Sequence, residues 1–80
     1  MEIAFEDVIK DLLWINNYLW VGCRNTTYQI DLDRGEIVVK LEIGGSLLWN
    51  KEQLYVIGRN GEVHQIRVRA LALRHAAGMI

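Results

Sequence analysis

The sequence predicts an all-β fold of two tandem four-stranded antiparallel units, which occupy residues 1–45 and 46–80. Three observations support it: a phrase that is written twice, a period-two alternation of apolar and polar residues, and turn signals between the apolar runs. The phrase LLWINNYLWVGCRN at 12–25 returns as LLWNKEQLYVIGRN at 47–60, with seven of fourteen positions identical. The chain is therefore read as two copies of one unit.

Four strands are predicted in the first unit. The LLW segment opens it, and two asparagines then give a turn signal before the run YLWVGCR at 18–24, which is rich in apolar and β-branched residues. The next run, TTYQIDLD at 26–33, alternates with a period of two, as a strand with one apolar face does. Arg34-Gly35 predict a tight turn, with Gly35 at positive φ, before the strand EIVVKLEIG at 36–44.

The second unit follows the same order. LLW opens it again, KEQ makes the turn, and LYVIG forms the next strand. Asn60-Gly61 then predicts a type I′ hairpin turn, because both central positions of that turn need positive φ. In the following strand, HQIRV at 64–68 matches YQIDL at 28–32, so the repeat is about 35 to 36 residues long.

The two ends of the chain are less sharply defined by the sequence. The closing stretch at 70–80, ALALRHAAGMI, is predicted by position to be an outer edge strand or tail, whereas its Ala and Leu content favours a helix. The opening MEIAFED is interpreted as a possible leading strand of a preceding unit.

Length and composition limit the classes of protein. Eighty residues make one small domain or a piece of a larger one, whose stability needs support, and a 51% hydrophobic content is sufficient for a core. A single cysteine excludes an internal disulfide, and no Cys/His cluster predicts a metal site. We therefore expect support from association or from a remainder of a longer chain. The short apolar runs and acidic start predict no membrane span and no signal peptide, which favours a cytoplasmic setting.

The two units carry opposite net charges. Residues 1–45 contain four Lys/Arg against eight Asp/Glu, a net charge of −4, and residues 46–80 contain five against two, a net charge of +3. Opposite charges favour head-to-tail contact between copies or between chains. The alternative is that two solvated surfaces differ in charge without a partner.

The repeated unit resembles a β-propeller blade. The segments YLWVGCRNTTYQIDLDRGEI at 18–37 and QLYVIGRNGEVHQIRV at 53–68 resemble the phrase LWVGT-x-NG-x-Y-x-L-D-x-x-TG of regulatory, quinoprotein-like and citron-homology propellers. Thr26-Thr27 replaces the usual turn glycine, and the second unit lacks an Asp/Gly turn after its third strand. The resemblance implies blades of propeller type, two per chain.

Two blades do not close a ring, because propellers usually have four to eight. The resemblance thus implies that several chains complete the ring, or that the sequence is part of a longer propeller. A small stand-alone sheet or barrel, with the repeat as its two halves, is the alternative architecture.

The candidate binding residues occupy matched places in the two units. They are Trp14, Trp20, Trp49 and Tyr55, together with Arg24 and Arg59. In sugar-binding propellers, aromatics and arginines at blade junctions stack on the sugar and hydrogen-bond to it. The alternative is that the aromatics fill the space between blades, as large side chains do in any core.

No set of residues indicates catalysis. His64 is interpreted as a packing residue, Cys23 as a small buried hydrophobe, and Asp31 with Asp33 as a solvated acidic face and not a calcium loop. No cofactor or metal is expected. The basic concentration of Arg67, Arg69 and Arg74 lacks an interleaved aromatic, so nucleic-acid binding is not expected.

We therefore expect a non-enzymatic interaction scaffold that acts through self-assembly or protein binding. Its expected partner is itself, as a homo-oligomer, or another protein. The alternative is a small oligomeric carbohydrate-binding lectin, in which a sugar is the ligand.

Overall fold

The computed structural model describes residues 2–67, which form seven strands in two antiparallel sheets and, within that range, no helix. The first sheet contains β1 (Ile9–Ile15), β2 (Tyr18–Cys23), β3 (Thr27–Asp31) and β4 (Glu36–Leu41). The second contains β5 (Ser46–Asn50), β6 (Gln53–Ile57) and β7 (Val63–Ile66). In both sheets each strand pairs with its neighbours in sequence.

The predicted all-β fold with two antiparallel units is confirmed. The outer strand or helix predicted at 70–80, and the basic residues Arg69 and Arg74, lie outside the described residues.

The register of strand pairing confirms the internal repeat. Val21 pairs with Tyr28 in the first sheet, and its match Val56 pairs with His64 in the second. Residues that match in the sequence therefore occupy equivalent paired positions in the two hairpins. The one extra residue of the second unit lies in the loop between β6 and β7.

Most turns follow the sequence signals. Asn16 takes a φ of 56° between β1 and β2, and Gly35 a φ of 69° between β3 and β4. The β5–β6 hairpin has Lys51 at φ 49° and Glu52 at φ 63°, and two consecutive positive values are the geometry of a type I′ turn. This geometry occurs there without the usual Asn or Gly.

The prediction of a type I′ turn at Asn60-Gly61 is wrong. Only Gly61 has a positive φ, 86°, and its N–H donates to the Gly58 carbonyl at 3.0 Å. Because Ile57 pairs with Val63, the loop contains five residues, and Gly61 closes the turn instead of forming its centre.

The two faces of each sheet follow from the alternation of side chains. We call the front face the one that carries the first leucine and the tryptophan of LLW: Leu12 and Trp14 in the first sheet, Leu47 and Trp49 in the second. The opposite face is the back face.

The front face of the second sheet packs on the back face of the first. Ile15 and Trp20 from the first sheet and Leu54 from the second are buried together in this interface. Partly buried hydrophobic side chains surround them: Leu13, Leu41, Leu47, Trp49 and Ile66. The sheets thus share one apolar core.

The backbones of the two sheets approach closely beside this core. A Cβ on Gly22 would lie 2.5 Å from the Gly45 carbonyl oxygen, so β2 needs glycine at this contact. Asp11, placed by a bulge in β1, accepts a hydrogen bond from the Leu47 N–H at 2.8 Å. Gly45 N–H also donates to the Cys23 carbonyl at 2.9 Å. Polar contacts therefore fix the sheets in one relative position.

The N-terminal segment, residues 2–8, contains no strand, so the proposed leading strand is not found there. Ile3 and Phe5 instead pack against a buried cluster on the front face of the first sheet, Val21, Cys23 and Ile30. The segment does not extend the sheet because the Asp7 carboxylate binds across to the Asn25 N–H, which holds the segment over the face.

Candidate functional site

The four matched aromatics lie in different environments. Trp20 is fully buried (0% exposed) between the sheets, and Trp49 is half-buried against the same cluster. Trp14 is 61% exposed on the front face of the first sheet. Tyr55 is half-buried on the back face of the second sheet. Matched aromatics therefore have the same position within their units, while their burial depends on whether another sheet packs on that face.

The matched arginines are exposed in the loops that follow β2 and β6. Arg24 comes directly after Cys23, which pairs with Ile9, five residues before Trp14 along β1. At about 3.3 Å per residue, Trp14 and Arg24 are roughly 17 Å apart along the strand. The structure therefore does not bring these two residues together into one sugar-sized site.

The front face of the first sheet exposes an apolar surface along β1. Leu12 is 56% exposed and lies beside Trp14 on this face, and Ile37 of β4 is partly exposed on the same face. The N-terminal segment covers the neighbouring cluster and leaves these β1 side chains in contact with solvent.

The back face of the second sheet exposes a comparable surface. Leu48 is 51% exposed and Val63 is 62% exposed. Tyr55 lies between them on β6. It pairs with Leu48 of β5, and Ile57, the next residue of β6 on the same face, pairs with Val63 of β7. A hydrogen bond from Gln65 Nε2 to Gln53 Oε1 at 2.9 Å borders this apolar strip.

Sequence reasoning missed Leu12 and Leu48 as surface residues. The signal was present: in each LLW phrase the two leucines point to opposite faces, so one must leave the core between the sheets. Which leucine that is depends on the order in which the sheets stack.

Asp7 provides the main electrostatic contact of the N-terminal segment. Its carboxylate accepts hydrogen bonds from the Asn25 N–H at 2.7 Å, the Val8 N–H at 2.8 Å and the Thr26 hydroxyl at 3.3 Å. The Asn25 hydrogen bond is the largest of the effects that lower the pKa of Asp7, and partial desolvation opposes it. The anion is therefore the form that holds the segment.

The pKa of Cys23 is shifted in the opposite direction from that of Asp7. Burial raises the pKa of its thiol, and the nearby Asp7 charge adds to the effect. A thiol that resists deprotonation is a poor nucleophile, so Cys23 acts as a packing residue of the front-face cluster.

Two buried donors on the back face of the first sheet make no hydrogen bond, namely Trp20 Nε1 and Gln29 Nε2. The two residues pair across β2 and β3 and face the second sheet. Leaving buried donors unpaired costs free energy, so the close packing of the sheets must offset it.

Among residues 2–67, no group of three His, Cys, Asp or Glu side chains is placed to hold a metal ion. In the same part of the chain, no helix is long and apolar enough to cross a membrane. Comparisons with protein-family models, with curated proteins and with solved structures gave no match.

Proposed function

We propose that this protein is a non-enzymatic interaction scaffold of β-propeller type, acting through self-assembly or protein binding in the cytoplasm. The observation that carries the proposal is the pair of exposed apolar strips, one on each outer face of the two-sheet stack. Leu12 and Trp14 form one strip, and Leu48 and Val63 belong to the other.

Exposed apolar side chains that are clustered on a surface mark interaction sites more often than scattered ones do. Tryptophan and tyrosine are also the residues that most often carry binding energy at protein interfaces. Both strips contain one of them, Trp14 in the first and Tyr55 in the second.

The stacking of the sheets also supports the proposal. In a propeller, each blade lays one face on the next blade, and the stack ends only when the ring closes. Two meander sheets with front packed on back have the same relation within this chain. A two-sheet stack leaves one front and one back face at its ends.

The proposal is tested by the absolute mass of the full chain in solution, measured by light scattering after size-exclusion chromatography over a range of concentrations. We expect the mass to rise above that of one 9.3 kDa chain. If the mass stays at one chain and no protein partner is captured by cross-linking in the cytoplasm, the scaffold function is excluded.

A glycan array separates the scaffold from the alternative lectin. We expect no binding, because Trp14 and Arg24 lie far apart along β1 and β2. A sugar that binds, and whose binding is lost in Arg24→Ala or Arg59→Ala, would favour the lectin.

A further inference from the structure

We propose that a second copy of this chain docks head-to-tail: the front face of its first sheet lies on the back face of the other copy's second sheet. This inference rests on the proposed scaffold function and names its partner. It follows from the interface that the chain already contains between its own two sheets.

The internal interface shows which residues such a contact uses. There Leu47, Trp49 and Leu54 of the second sheet lie against Leu13, Ile15 and Trp20 of the first. The most extensive contacts between strands of the two sheets are those of β5 with β1 and β2. The interface is therefore centred on β5 of the second sheet and on β1 and β2 of the first.

The two exposed faces carry the matching residues. Leu12, Trp14 and Leu19 of the first sheet match the three front-face residues of the second, with all three side chains identical. On the back of the second sheet, Leu48 matches Leu13 and Tyr55 matches Trp20. A front face that fits one back face within the chain thus meets a similar back face on another copy.

The N-terminal segment leaves the β1 part of this contact available. Ile3 and Phe5 lie over Val21, Cys23 and Ile30, whereas Leu12 and Trp14 of β1 remain more than half exposed. The covered cluster includes Leu19 and Ile30, the matches of Leu54 and Ile66. Docking therefore relies on β1, which matches β5, the strand of the second sheet that makes the most extensive internal contacts.

Charge favours the same pairing. The contact joins the first unit of one chain, of net charge −4, to the second unit of the other, whose described residues contain three Lys/Arg against two Asp/Glu, a net charge of +1. A front-to-front contact would join two acidic units, and a back-to-back contact would join two basic ones. Electrostatics therefore selects the head-to-tail arrangement over both symmetric ones.

The contact between chains differs from the internal one at several matched positions. Tyr55 stands where Trp20 is, and Ile57 stands where Gly22 is, so the two backbones cannot approach as closely as they do inside the chain. Asn50 stands where Ile15 is, which makes the back face less apolar, and Ser46 stands where Asp11 is. The Leu12 N–H, which matches the Leu47 N–H, is bound by its own neighbour Asp11 at 2.9 Å. The contact between copies is thus weaker than the internal one and reversible on dilution.

Two single variants and their mixture test the inference. Trp14→Asp places a charge on the front face only, and Leu48→Asp places one on the back face only. We expect each variant to be a monomer at concentrations where the wild type associates. Their equimolar mixture should give a complex of one chain of each, because each variant supplies the intact face that the other lacks, and this complex cannot grow.

Three results would contradict the head-to-tail geometry even if the wild type associates. Self-association of Leu48→Asp alone would indicate a front-to-front contact, and self-association of Trp14→Asp alone a back-to-back contact. A mixture that stays monomeric would also exclude the head-to-tail geometry. In all three cases self-assembly, and so the scaffold function, would stand.

A wild type that remains monomeric would overturn self-assembly itself and would mean that something else covers these faces. Ile37→Asp is the matched control, because Ile37 is on the same front face but in β4, outside the predicted contact. It should associate like the wild type. Circular dichroism checks that all three variants keep the β fold.

Discussion

The first strands of the two sheets, β1 and β5, have the same front-face residues in different environments. In the second sheet, Leu47 and Trp49 are partly buried against the first sheet. In the first sheet, Leu12 and Trp14 occupy the same places and are mostly exposed. The identity of the side chain therefore does not decide its burial; the presence of a neighbouring sheet does.

The repeated sequence motif therefore has two roles in this protein. The same apolar face stabilises the fold where it meets the chain's own sheet, and it is available for association where it does not. Substitutions at the internal interface should therefore affect folding, whereas substitutions at the exposed faces should have small effects on folding and large effects on the mass of the protein in solution.

The largest expected effect is that of Trp20→Ala. Trp20 is buried in the interface between the sheets, and truncating a buried aromatic costs about 3–5 kcal/mol, a large part of the stability of a chain this size. The free energy of unfolding, measured by urea titration with circular dichroism, should fall by this amount or the variant should be unfolded.

Trp14→Ala is the matched control for that prediction. The residue type and the change are the same, but Trp14 is on an exposed face, so the monomer should lose no more than about 0.5 kcal/mol. The measurement uses dilute protein, where association does not contribute. Equal losses in the two variants would contradict the assignment of the buried and exposed faces.

A smaller effect is expected for Asp11→Asn. Asp11 uses one carboxylate oxygen for the Leu12 N–H and the other for the Leu47 N–H across the sheets. The amide has a single acceptor oxygen, so one bond is lost, at a cost of about 1 kcal/mol in the free energy of unfolding. Asp33→Asn, in the exposed β3–β4 turn, should leave the stability unchanged.

The smallest effect is the pH dependence of the N-terminal segment. The pKa of Asp7 is lower in the folded state than its ordinary value of 3.8, mainly because of the Asn25 N–H. Its stabilising contribution is therefore complete above pH 3.8 and is lost as the pH falls through the folded-state pKa. The stability difference between wild type and Asp7→Asn should be constant above pH 3.8 and shrink below it.

Labelling of Cys23 gives an independent readout of the same segment. Cys23 lies in the cluster beneath Ile3 and Phe5, so a thiol reagent reaches it only when the segment opens. We expect Asp7→Asn to be labelled faster than wild type at neutral pH, while Glu6→Gln, an exposed neighbour, should react at the wild-type rate. Equal rates in all three would show that Asp7 does not hold the segment.

Much of the fold could be predicted from local patterns. The alternation in 26–33 predicted strand β3, and Arg34-Gly35 predicted its turn, because side-chain alternation and positive φ depend on adjacent residues alone. The alternation did not predict that Gln29, on its polar side, is buried against the second sheet. The Asn60-Gly61 signal failed because the register of Ile57 with Val63 set the loop length, and loop length selects the turn type.

The candidate residues were less predictable. Trp14 and Trp20 are both tryptophans that follow a leucine in an apolar strand, yet Trp20 is in the core and Trp14 faces solvent. The fold of the N-terminal segment also escaped prediction, because it depends on a hydrogen bond between Asp7 and Asn25, which are eighteen residues apart in sequence.

Local patterns in the sequence were enough to predict the repeat, the strands, most of the turns and the apolar face of most strands. These depend on the two-residue period of β structure and on backbone preferences, which act over a few residues. Local patterns did not predict that the front face of the second sheet packs on the back face of the first. They therefore did not predict which of the matched leucines and tryptophans are exposed. That choice depends on contacts between residues roughly 35 positions apart, and those contacts follow from the packing of whole faces and not from any local pattern.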